Sequence, residues 1–130
     1  MNFYKYLRQH GISPTKQRLE VASVLLGKPQ HLSADQVLNL LKDQGSKISK
    51  ATVYNTLNLF KKGGLVRELN IDSVKTIFDS TTNSHHHFYN IDTGEVIDIP
   101  KNEVSIDRFP HLPEGTLPDD VEVLIKVRQE

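Results

Sequence analysis

Apolar residues recur at helical spacing through the first half of the chain and at strand spacing through much of the second. Phe3, Tyr6 and Leu7 mark a short amphipathic helix over residues 2–10, ended by Gly11. Leu19, Ala22 and Leu26 continue the period, so a second helix runs to about Leu26. Ser13 is expected to cap it, with Pro14 in its first position, where a missing N–H is harmless, and Gly27-Lys28-Pro29 stops it. Leu32-Ser33-Ala34-Asp35-Gln36-Val37 then reads as a capping box with a hydrophobic staple: Ser33 takes the amide of Gln36, Gln36 reaches back, and Leu32 meets Val37. Leu38 and Leu41 extend this stripe and Gly45 closes it. Ser49 caps a further helix through Phe60, whose Val53, Leu57 and Phe60 form a buried stripe at i, i+4 and i+7.

Past Gly63-Gly64 the period shortens to two. Residues 65–69 and 74–78 are β-like, with Asn70 to Ser73 as the turn between them. The polar run STTNS at 80–84 suits a hinge. Strands are predicted over 85–90 and 95–99, joined by Ile91-Asp92-Thr93-Gly94, and Pro100 closes the pair. Pro110, Pro113 and Pro118 make a long helix between Arg108 and Pro118 implausible. Val121, Val123, Ile125 and Val127 share one face of a last strand over 121–128. The pattern predicts an α+β protein: an N-terminal winged helix-turn-helix domain over 1–80, a hinge at 81–84, and a small β-sheet sensor and dimerisation domain over 85–130. A three-stranded sheet of that size is too small to stand alone comfortably, and a homodimer is the natural remedy.

Charge sharpens this division. Residues 1–64 hold ten Lys/Arg against three Asp/Glu, a balance of +7, whereas residues 65–130 hold six against thirteen, a balance of −7. A basic front half invites a polyanion, and a helix-turn-helix invites double-stranded DNA. Lys50, Tyr54, Asn55 and Asn58 lie opposite the buried stripe of the helix that starts after Ser49. Lys50, Tyr54 and Asn55 would face the major groove, with Lys16 and Arg18 on phosphates. For that helix alone the bland alternative is a solvated face. The expected consequence is DNA affinity that falls steeply with salt.

Cysteine is absent, which excludes disulfides, thiolate nucleophiles and Cys-based zinc or iron–sulfur sites. No signal peptide and no apolar run of membrane-spanning length is visible, so a soluble cytoplasmic protein is expected, with no membrane partner. His85-His86-His87 opens the acidic half. In a strand, His85 and His87 point one way and His86 the other, with the Cβ atoms of the outer pair roughly 6–7 Å apart. Asp98 lies in the neighbouring strand, Asp79 precedes the hinge, and His31 sits just outside the Ser33 cap. Imidazole and carboxylate without thiolate suit Fe(II), Mn(II) or Zn(II). A surface histidine run is the plain alternative.

GISPTKQR (11–18), HLSADQVL (31–38), ISKATVYNTLNLF (48–60) and HHHFYNIDTGEVIDI (85–99) occur in order, and together they resemble the ferric uptake regulator superfamily. The resemblance implies a dimeric winged-helix repressor or activator whose regulatory metal site falls on His31, Asp79, His85, His87 and Asp98. These positions come from the DNA-binding domain, the hinge and the sensor sheet, so one ion holding all of them would fix the angle between domains. Many relatives carry Cys-x-x-Cys for a structural zinc; here Asn90 and Thr93 stand at those positions, so that zinc is not expected. The missing cysteines, the histidine triplet and the ending LPEGTLPDDVEVLIKVR are similar to the iron-response regulator branch. That likeness implies haem at His85, His86 and His87 and control of haem synthesis and iron homeostasis genes.

Haem has axial positions on opposite faces, which two histidines on one strand face cannot easily both supply; one of the triplet could ligate, with a second ligand such as His111 or a partner-chain group, or with none. Direct Mn(II) or Fe(II) sensing with repression of metal uptake is therefore an open alternative, as is peroxide sensing through oxidation of an iron-bound histidine. Two histidines and a carboxylate also occur as the facial triad of non-haem iron enzymes, but no substrate cavity is suggested, and the chain reads as a regulator, not an enzyme. A structural scaffold module explains neither the charge division nor the helix-plus-wing order.

Overall fold

Residues 1–71 and 76–130 are described by the computed structural model of the protein, and they form two compact units, Met1–Thr82 and Asn83–Glu130. The first unit opens with helix α1 (Phe3–Gln9), capped by Asn2, and helix α2 (Lys16–Leu25). The cap of α2 is Thr15 rather than Ser13: its hydroxyl accepts from the amide of Arg18 at 3.3 Å. Ser13 precedes a proline and is held extended, so its carbonyl serves instead as an acceptor for Thr15 N and Arg18 Nη1. Pro14 consequently lies outside the helix.

Helix α3 (Ala34–Asp43) starts with the full capping box, both the Ser33 and the Gln36 bonds being present. Helix α4 (Lys50–Lys62) starts with Ser49 accepting from Thr52 N. Val53, Leu57 and Phe60 on α4 are 0% exposed and meet Val21, Leu25, Val37 and Leu41 in the core of this unit. Gly64 has φ +79°, a left-handed conformation that turns the chain out of α4 and toward the wing.

The sheet of the first unit contains one more strand than the period suggested. A two-residue strand β1 (His31–Leu32) pairs with β3 (Thr76–Asp79), which pairs in turn with β2 (Arg67–Asn70), all antiparallel, in the order β1-β3-β2. Two residues are too few to register as an alternation. Of the expected strand at 74–78, Val74 and Lys75 lie outside the described residues.

The second unit is a three-stranded sheet in the order β5-β4-β6, formed by β4 (His86–Asn90), β5 (Val96–Ile99) and β6 (Leu124–Val127). The β4–β5 connection is a tight hairpin: Asn90 Oδ1 accepts from the amides of Asp92 and Thr93, and Gly94 at φ +77° completes the reversal. A single 3₁₀ turn, Lys101–Glu103, follows β5, and residues 104–118 carry no helix. Strand β6 runs parallel to β4 and is shorter than the predicted 121–128. Its leading residues are engaged otherwise: Val121 N donates to the side chain of Asp120 and Val123 N to the ring of His86.

Register gives this sheet two unlike faces. Asp98, His87 and Leu124 are aligned across the three strands on one face; Ile97, Phe88 and Ile125 are aligned on the other. Ile97, Ile125 and Val127 are 49%, 39% and 36% exposed, so the second row is open.

Candidate functional site

On α4 the side chains of Lys50, Ala51, Tyr54, Asn55 and Asn58 are exposed, and those of Val53, Thr56, Leu57 and Phe60 are buried. Helical geometry therefore sets Lys50, Tyr54 and Asn58 in one outward row, with Asn55 beside it. The Lys50 ammonium lies 5.9 Å from the centroid of the Tyr54 ring and 3.2 Å from Asp35 Oδ1. Both partners of that ion pair are more than half exposed, so it is weak. Arg18 is fixed by its bond to the Ser13 carbonyl and, with Asn55, lines a cleft of about 240 Å³ where α2 faces α4. Lys16 is exposed but lines a separate cleft with Glu20, Ser46 and Lys47. Four of the five residues read as DNA-facing thus cluster around α4, and Lys16 stands apart from them.

The histidine and carboxylate side chains form one group in each unit. In the first, His31 faces Asp79 across the β1–β3 ladder, with Nε2 at 3.2 Å from Oδ2. Gln30 brings this about: its side chain donates to the last carbonyls of α2, Val24 and Leu25, while its backbone is bonded to Ser80. The chain leaving α2 is thereby laid against β3. Asp79 is 0% exposed and its Oδ1 accepts from Thr81 N at 2.9 Å. A carboxylate removed from water demands a cationic neighbour or several donors.

In the second unit His85 Nε2 lies 3.0 Å and His87 Nε2 3.3 Å from the same oxygen, Asp98 Oδ1, and the two rings are 4.4 Å apart. His85 stands one residue ahead of β4 rather than within it, yet it converges with His87. Its Nδ1 faces the carbonyl of Asn83, which can only accept, so Nδ1 carries a proton. His87 Nδ1 faces Glu122 Oε1 at 3.1 Å, again an acceptor. Both rings turn Nε2 toward the same carboxylate oxygen. Two imidazole nitrogens and a carboxylate oxygen thus converge, a set of atoms that could hold a metal ion.

His86 is on the opposite face and is neither solvated nor idle: it is 4% exposed, and its Nδ1 accepts from Val123 N at 2.9 Å. The three imidazoles are 7%, 4% and 1% exposed in chain order, so a porphyrin would have to displace packed side chains to reach them. A bare divalent ion needs no such opening, and two imidazoles with a carboxylate suit iron, manganese or zinc. The donor set fits a divalent ion better than haem.

Sequence reasoning missed Glu122 and the β1 strand that holds His31. The alternation that sends Val121 and Val123 to one side sends Glu122 to the other, and that is the signal that could have found it.

The profile of the Ferric uptake regulator family matches residues 9–109. Over 92 residues, 71% of this chain, the protein is 36% identical to the peroxide-responsive repressor PerR of Staphylococcus aureus strain Mu50, and that stretch spans 62% of the relative's length. The ferric uptake regulator of Pseudomonas aeruginosa with manganese superposes with a TM-score of 0.76 at 28% identity, covering 100% of this chain and 99% of that one. The Vibrio cholerae ferric uptake regulator superposes with a TM-score of 0.75 at 26% identity, covering 98% of this chain and 100% of that one. The family match covers most of the chain, and the α4 face and the histidine–carboxylate groups lie within it; the protein belongs to the ferric uptake regulator family.

Proposed function

We propose that the protein is a metal-responsive transcriptional regulator that binds operator DNA as a homodimer, with Fe(II), Mn(II) or Zn(II) as the ligand. The observation that carries this reading is the convergence of His85 Nε2, His87 Nε2 and Asp98 Oδ1. Structural similarity to the P. aeruginosa ferric uptake regulator with manganese supports it. His31 and Asp79 would add ligands from the DNA-binding unit. An ion that binds ligands from both units favours whichever arrangement presents them together, and so biases DNA affinity through linkage.

Lys50, Tyr54 and Asn55 would read the major groove while Arg18 and Lys16 contact phosphates. The homodimer would use the open face bearing Ile97, Phe88 and Ile125, because a row of large apolar side chains at a sheet surface is a typical association face. Among the described residues no helix is long and apolar enough to cross a membrane. Metal ligation at this site serves regulation rather than turnover in this reading.

An operator gel shift at fixed salt, with apo, Mn(II)-loaded and haem-loaded protein side by side, tests the reading. Mn(II) should change the affinity for DNA, and the double variant H85A/H87A should keep its helical circular dichroism while losing that dependence. A response to haem alone would restore the haem-sensing reading of the triplet. Indifference of the unmodified protein to both ligands would end the sensing proposal.

A second reading is favoured by the 36% identity to PerR: an iron-loaded site that responds to peroxide through oxidation of a ligand histidine. It predicts a mass gain of one oxygen on the peptide containing His31 or His85 after peroxide treatment of Fe(II)-loaded protein.

A further inference from the structure

Glu122 stands outside the five ligand positions, yet its carboxylate faces the inner nitrogen of a histidine that is 1% exposed. We propose that Glu122 is a positioning residue of the metal centre: it accepts the Nδ1 proton of His87, fixes the ring with Nε2 outward, and makes ion affinity depend on the seating of β6. This rests on the metal-responsive reading above.

The placement is built rather than incidental. Ser84 Oγ donates to Asp120 Oδ1 at 3.0 Å, Val123 N donates to His86 Nδ1 at 2.9 Å, and His87 N donates to the Val123 carbonyl at 3.1 Å. Bonds on both sides of Glu122 therefore tie this segment to the histidine run. In the parallel register His87 is aligned with Leu124, and the alternation that turns Leu124 to the histidine face turns Glu122 there as well.

His85 supplies an internal comparison. Its Nδ1 is held by a backbone carbonyl from its own neighbourhood, so its tautomer requires no distant element. His87 draws its acceptor from the segment leading into β6, 35 positions along the chain, and that acceptor is an anion. A carboxylate behind a ligand imidazole increases the basicity of the metal-facing nitrogen more than a carbonyl does. Loss of such a partner typically weakens metal binding by about 10–100-fold.

The test uses Co(II) alone as the probe, titrated into the full-length protein and read by its visible absorption bands, with nitrogen-15 spectra of the histidine rings of the apo protein in parallel. E122A should weaken Co(II) binding by about 10–100-fold, and His87 should lose its single Nδ1–H tautomer. E122Q keeps an acceptor oxygen without the charge, so it should retain the tautomer and lose a smaller part of the affinity. Should E122A fail to fold, E122Q carries the test by itself. Wild-type affinity in either folded variant, with the tautomer unchanged in E122A, overturns the role of Glu122 and leaves the metal site intact. Absence of Co(II) binding by the unmodified protein overturns the metal-responsive reading on which the role rests.

Discussion

Single residues define this molecule where a side chain performs a task its own backbone neighbours cannot. Ser33 is the clearest structural case, since its hydroxyl takes the Gln36 amide and Gln36 answers at the Ser33 amide. Removing it leaves donors in the first turn of α3 without their partner; S33A should cost about 1 kcal/mol of unfolding free energy, measured as a shifted urea midpoint with an unchanged slope. This box was legible because its residues are adjacent in sequence and the chemistry is local. The His85, His87 and Asp98 convergence was legible by strand parity together with the family resemblance. Glu122 and the Thr15 cap were not. The former depends on a pairing across 35 positions, and the latter on which of two neighbouring hydroxyls lies three residues ahead of a free amide.

At the scale of elements, α4 carries two stripes that do separate work. Its inner stripe anchors the core, and its outer row leaves Lys50, Tyr54 and Asn55 free of packing constraints. K50A should therefore leave the thermal midpoint nearly unchanged, since its ion pair with Asp35 is exposed. It should weaken binding to the operator by more than binding to non-specific duplex, as loss of a groove contact does. An equal fall on all duplexes, with the salt slope reduced by about one, would instead make Lys50 a phosphate contact. The helices were visible in the periodicity because each has ten or so residues and a recognisable cap, α1 being the shorter exception. Strand β1 has two residues, and the parallel seating of β6 on β4 follows from side-chain bonds that no hydropathy pattern encodes.

For the molecule as a whole, the two units differ in how well they satisfy their own apolar surface. The first encloses a continuous core drawn from all four helices. The second buries Tyr89 and Ile99 but leaves Ile91, Ile97, Ile106, Phe109, Leu112 and Leu117 between 41% and 90% exposed. Association through the Ile97–Phe88–Ile125 face predicts that I97E/I125E shifts the protein from dimer to monomer in light scattering while Co(II) still binds. A double variant that remains dimeric would place the contact elsewhere, with residues 106–117 the next surface to alter. Sequence length and strand count alone pointed to a partner for this sheet, but which face it presents became visible only from the register.

That register has a consequence for how the chain tolerates change. The side proposed to bind the ion and the side proposed to pair are the front and back of one ribbon, separated by nothing more than odd and even numbering along β4. Deleting His86, with the chain up to His85 held in place, would turn His87 toward Ile97 and Ile125 and carry Phe88 to the carboxylates. Sensing and pairing would fail in the same step, because a slip of one position exchanges the two faces.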